Sequence, residues 1–164
     1  MKRGWILPVV AVLLGLGMAL AHAMTMPGPN PDALWRFISK EQPYTSWGQW
    51  DDHRGVQPGA APHGRYHKVF VNKRGIYSPK PPVQYGTIVV KENYAESDAK
   101  DLKAITVMYK MKDYNPEAGD WYWAKYMPNG EVEKYGRPQG CIDCHAGNAD
   151  YDYIMVHGFG EEDE

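Results

Sequence analysis

The sequence predicts an α+β fold, a mainly antiparallel β-sheet with a few flanking helices. Three observations lead there. Short β-branched and aromatic runs recur between residues 66 and 135, turn residues separate them at hairpin spacing, and one helical pattern precedes them all.

The elements follow in chain order. Lys2 and Arg3 precede an apolar run from Trp5 to Leu20, and Ala21-His22-Ala23 ends it with a small-x-small pattern. This predicts a signal peptide over 1–23, with cleavage after Ala23. The run is short for a bilayer span, which takes about 20 residues, although an uncleaved anchor is the alternative. Both readings put the folded part outside the cytoplasm, periplasmic or extracellular.

Residues 24–65 read as an N-terminal arm, a short helix and a loop. Met24 to Pro31 holds three prolines without a period. Asp32 to Ser39 is the helical pattern, with Asn30 as N-cap, Pro31 at the first position, and Leu34, Trp35, Phe37 and Ile38 as its buried side. Gln42 to Arg65, rich in Gly, Pro, Trp and His, reads as ordered loop. Trp47 and Trp50 within it either cover a ligand or fill the core.

Residues 66–160 read as the sheet, in one domain with the segment before it. Tyr66 to Val71 is the first strand, closed by turn residues from Asn72 to Gly75. Val83 to Lys91 is the second and Leu102 to Met111 the third. Asp120 to Met127 meets Glu131 to Tyr135 across Pro128-Asn129-Gly130, a hairpin signal. The acidic tail 161–164 is a solvated end.

Charge narrows the partners. The chain carries a formal charge of −2, and loss of Lys2 and Arg3 makes it −4, so no nucleic acid is expected. Six Trp and twelve Tyr suit either a core or a pocket for a flat ligand.

The chemistry concentrates in Cys141-Ile142-Asp143-Cys144-His145. Thiols at i and i+3 fall on one side of a helical turn, where they can add to the two vinyl groups of one porphyrin. His145 then offers its imidazole to the iron. C-x-x-C-H is the haem-attachment pattern for that reason, which predicts one covalently bound haem c on a C-terminal helix or turn. A Cys141–Cys144 disulfide leaves His145 without a role. A thioredoxin-like dithiol belongs at the start of a helix in a βαβ unit, and zinc needs a fourth ligand with no partner motif in sight.

The sixth iron position decides between electron transfer and small-molecule chemistry. Candidates are His53, His63, His67, His157, Met108, Met111, Met127 and Met155. The strand methionines read as core fillers, and His53 and His63 as solvated loop residues. No residue stands out, which favours an open site.

These residues together resemble the cytochrome P-460 family. The resemblance rests on Val69-Phe70-Val71-Asn72, the strand from Gly86 to Glu92, Gly119-Asp120-Trp121-Tyr122-Trp123 and the Cys141 to His145 motif, and spans roughly Tyr66 to Val156. It implies an antiparallel sheet, often dimeric, and a five-coordinate iron that oxidises hydroxylamine or reacts with nitric oxide. The related c-prime-beta cytochromes bind nitric oxide without oxidising hydroxylamine. In oxidising members a lysine is linked to the porphyrin, and Lys91 falls where that lysine belongs. The plainer reading of Lys91 is an exposed pair with Glu92. His67 stands where an arginine is expected, and Gln139 and Gly140 precede Cys141 where a carboxylate is expected. His67 reads either as a pocket proton carrier, suited by its ordinary pKa, or as a surface residue.

Three functions stay open: a catalyst acting on hydroxylamine or nitric oxide, an electron carrier with a six-coordinate iron, and a nitric-oxide buffer without turnover. A redox partner protein is expected, and an exposed edge strand would serve a homodimer.

Overall fold

A computed structural model describes residues 25–60 and 62–160. The expected signal peptide and acidic tail lie outside the described residues. Its framework is one six-stranded antiparallel sheet in which every strand pairs with its neighbours in sequence. The strands are β1 (Gln57–Pro58), β2 (Tyr66–Val71), β3 (Ile88–Tyr94), β4 (Leu102–Lys110), β5 (Trp121–Tyr126) and β6 (Val132–Gly136). Three short α-helices flank them: α1 (Pro31–Arg36), α2 (Lys73–Ile76) and α3 (Gln139–His145). The expected α+β architecture is therefore present.

Local chemistry sets the boundaries. α1 starts where the Asn30 side chain accepts from the Ala33 N–H at 2.9 Å, and it runs on as a wider turn over Phe37–Glu41. Two differences from the sequence reading concern β3. It begins at Ile88 rather than Val83, because Gly86 turns the chain at φ +87° and the Val83 N–H bonds to Asp152 Oδ2 at 2.9 Å. It continues past Lys91 to Tyr94, since buried Glu92 and Asn93 find side-chain partners. Asn72 to Gly75 opens α2 instead of a plain turn, with Asn72 Oδ1 accepting from the Gly75 N–H. β1 lay inside the expected loop, and Pro58 is tolerated there because it sits on the sheet edge.

Each sheet face buries its own core. On one face Leu34, Phe37 and Ile38 of the first helical segment cover Phe70, Val90, Val107, Tyr122 and Tyr126. Gly130 in the β5–β6 turn lies so close to Trp35 that a Cβ would meet its indole at 2.3 Å. On the other face Trp50, Ile154 and Phe159 cover Val69, Val71, Val89, Met108, Trp121 and Trp123. Trp50 thus fills the core, and Trp47 packs against the first face. Among the described residues no helix is long and apolar enough to cross a membrane.

Candidate haem site

Strand alternation decides which groups share a face. In β3, Val89, Lys91 and Asn93 point to the second face, while Val90 and Glu92 point to the first. Register then aligns Val69, Lys91, Thr106, Lys125 and Lys134 across five strands, beside a row of Val71, Val89, Met108 and Trp123. Cys141 and Ile142 of α3 pack onto this face.

Lys91 is therefore no exposed partner of Glu92. Glu92 is 8 % exposed on the opposite face, where it accepts from Tyr44 Oη at 2.8 Å and Tyr94 Oη at 2.5 Å. Lys91 is half-buried, and burial lowers its pKa to about 8, with the Cys144 thiol opposing the shift. About a tenth of its amines are thus uncharged at pH 7, against about one in several thousand for an ordinary lysine.

His145 is held by its backbone surroundings. Its Nδ1 lies 2.8 Å from the Tyr153 carbonyl. A carbonyl only accepts, so Nδ1 donates and the lone pair stands on Nε2, the arrangement of a metal-ligating histidine. Trp123 meets the ring edge to face at 4.7 Å. Burial lowers the His145 pKa, which the Tyr153 bond opposes and Lys91 reinforces. Cys141 is half-buried, Cys144 is exposed, and the two are not joined to each other.

Three more histidines gather here. His67 is 5 % exposed and sits inside, contrary to its surface reading. Its Nε2 lies 2.6 Å from His53 Nε2, with ring centres 4.9 Å apart and planes within 12°. A ring nitrogen lies about 1 Å from its ring centre, so these numbers describe two nearly coplanar imidazoles joined head to head. His53 and His63 are half-buried, which corrects their expected solvation. Between β1 and β2 the Gly59 N–H donates to the Arg65 carbonyl at 2.7 Å. Burial, reinforced by Lys91, lowers the pKa of His63 and of His67 to about 4, and burial lowers that of His53.

The other sixth-ligand candidates lie elsewhere. His157 binds Asp52 and stacks on Trp50 at 4.6 Å. Met108 is buried in the sheet face, Met111 packs against the first core, and Met127 and Met155 are exposed. Sequence reasoning undervalued His53 and His63. A Pro- and Gly-rich loop gives no period from which burial can be read, and only the density of histidine over residues 53–67 signalled a site.

Against known families, residues 39–156 match Cytochrome P460. The chain belongs to the Cytochrome P460 family. Comparison with curated proteins gives no match. Family membership makes this a haem cytochrome, and the residues present fit the group. A fixed imidazole leaves Nε2 free, two thiols stand on the same turn, and α3 has no buried side chain although it lies over an aromatic sheet face. Membership also covers the histidine loop, which the resemblance from Tyr66 onward did not reach.

Proposed function

We propose that this protein is exported, binds one haem by thioethers to Cys141 and Cys144, and works on hydroxylamine or nitric oxide. His145 is the protein's iron ligand in this reading. When bound, the haem supplies a redox-active metal able to take a small nitrogen species and pass on its electrons. The protein's own residues orient, seal and deprotonate.

The observation behind this reading is Lys91. Its amine shares a sheet face with α3, feels the Cys144 thiol, and has a pKa near 8. An amine free of its proton is the form that would attack a porphyrin carbon, the ring C–H and an amine N–H giving way to a C–N bond with two electrons passing to an oxidant such as peroxide. The family resemblance leads one to expect this bond of the lysine here. His67 and His53, with their N···N bond of 2.6 Å, offer a route for protons released by a bound hydroxylamine. A redox partner takes the electrons, and the open edge of β6 suits a homodimer.

The electron-carrier reading has one observation in its favour: the His63 ring lies across from His145, with centres 6.3 Å apart. Maturation of the full chain in a host that attaches haem c, followed by mass analysis of the haem peptide, tests the proposal. A peptide containing Lys91 joined to the haem peptide, with hydroxylamine turnover lost in Lys91→Ala, is the expected result. Colourless protein with free thiols overturns it, and haem without turnover or ligand uptake leaves the carrier.

A further inference from the structure

We propose that Asp152, held by Lys110, is a positioning residue that sets how electron-rich the haem iron is, by aiming the Tyr153 carbonyl at His145. The inference rests on the haem reading above and extends it to the residues behind the ligand. With an open sixth position His145 is the iron's single protein ligand. Its other nitrogen, Nδ1, is then the handle through which the fold acts on the metal.

The turn that aims the carbonyl is strained. Asp152 and Tyr153 follow each other at φ +55° and +64°, the left-handed region that glycine enters most readily. Neither is glycine, and each side chain shows why. Asp152 accepts from Lys110 Nζ at 2.5 Å through Oδ1 and from the Val83 N–H at 2.9 Å through Oδ2. The Tyr153 ring lies against Gly119, where an added Cβ would meet it at 2.9 Å, and its hydroxyl donates to the Glu117 carbonyl at 3.3 Å. Lys110 Nζ donates to the carbonyl of the same Gly119 at 2.8 Å.

Three successive carbonyls then each accept from a side chain. Asp152 takes Trp121 Nε1 at 2.8 Å, Tyr153 takes His145 Nδ1 at 2.8 Å, and Ile154 takes Asn148 Nδ2 at 3.1 Å. The backbone is thus fixed on both sides of the carbonyl that meets the imidazole. A bond accepted from Nδ1 makes Nε2 more basic, and a more basic ligand favours the oxidised iron that can draw electrons from hydroxylamine. Strain concentrated behind a ligand points to function.

Resonance Raman spectra of the reduced, matured full chain and a redox titration test this. The iron–histidine stretch reports the strength of the bond to the imidazole. Asp152→Gly eases the left-handed turn but removes both side-chain anchors. It should lower that frequency and shift the reduction equilibrium about tenfold toward ferrous iron, about 59 mV for one electron. Lys110→Met with Asp152→Gly, which leaves no charge unpaired, should lower the frequency equally. Tyr153→Phe, which keeps the carbonyl and the ring, should match wild type. A shifted equilibrium with an unchanged stretch is the field of unpaired Lys110 alone and overturns the proposal. Should the Asp152 variants not fold, Asn148→Ala decides: it frees the Ile154 carbonyl at less cost, and an unchanged stretch there overturns the proposal too. A six-coordinate wild type lacking the band removes the premise of a single protein ligand and overturns it as well. Failure of wild type to attach haem overturns the underlying reading instead.

Discussion

Lys110 donates to Asp152 inside the protein, Nζ to Oδ1 at 2.5 Å, with side chains only 5 % and 4 % exposed. Asp152 also accepts from the Val83 N–H, and its carbonyl accepts from Trp121 Nε1 at 2.8 Å. The next residue, Tyr153, supplies the carbonyl that orients His145. A charge pair at the end of β4 thereby fixes the imidazole aimed from α3.

Lys110→Met should therefore cost about 3–5 kcal/mol in urea unfolding, because it strands a buried carboxylate. The loss should carry over to the site as a weaker His145–Tyr153 bond. Nitrogen NMR of the imidazole would show Nδ1 losing its single-donor signature. Stability within about 1 kcal/mol of wild type would mean that water reaches Asp152.

Glu92 and Lys91 are neighbours in sequence on opposite faces, so their substitutions should separate cleanly. Glu92→Ala removes the acceptor of two buried phenols and should lower stability by about 2–4 kcal/mol in denaturant titration. The Lys91 pKa should not change. An exposed pair would give about 0–1 kcal/mol instead.

The histidine pair sets an acid limit. Folded His67 titrates near 4, below the ordinary 6.5, so the unfolded chain binds more protons between those values. Stability should therefore fall as pH drops from about 6.5 to about 4, and His63 and His53 act in the same direction. His67→Phe should flatten this fall when unfolding free energy is measured at pH 7.5 and 4.5. A fall as steep as in wild type would assign the acid sensitivity to other groups.

The parts of the fold written as alternation were legible in the sequence. Tyr66–Val71 shows the strand with the bounds found, and Asn30-Pro31 gives the start of α1. The ends of β3 were not, because Val83 is buried without being in a strand and Glu92 and Asn93 are strand residues despite their polarity. In the site, Cys141, Cys144 and His145 are neighbours in sequence and could be read directly. His53, His63, His67 and Lys91 come together only through loop closure and strand register, and a lone sequence does not reveal either. Even so, period-2 alternation alone separates Lys91 from Glu92, the step that removes the exposed-pair reading.

Lys91 offers the last test, in protein without haem. Its folded pKa of about 8 lies below the ordinary 10.5, so folding releases protons between these values. Stability should rise with pH across that window as the unfolded state keeps the proton longer. Measured from pH 7.5 to 9.5 in a Cys141→Ala, Cys144→Ala background, where no thiol titrates, the slope should largely disappear in Lys91→Met. Lys91→Arg should be less stable than Lys91→Met throughout, because guanidinium keeps its charge in the half-buried site. Equal stability of the two would place the Lys91 amine in water, and its nucleophilic role would then lose its physical basis.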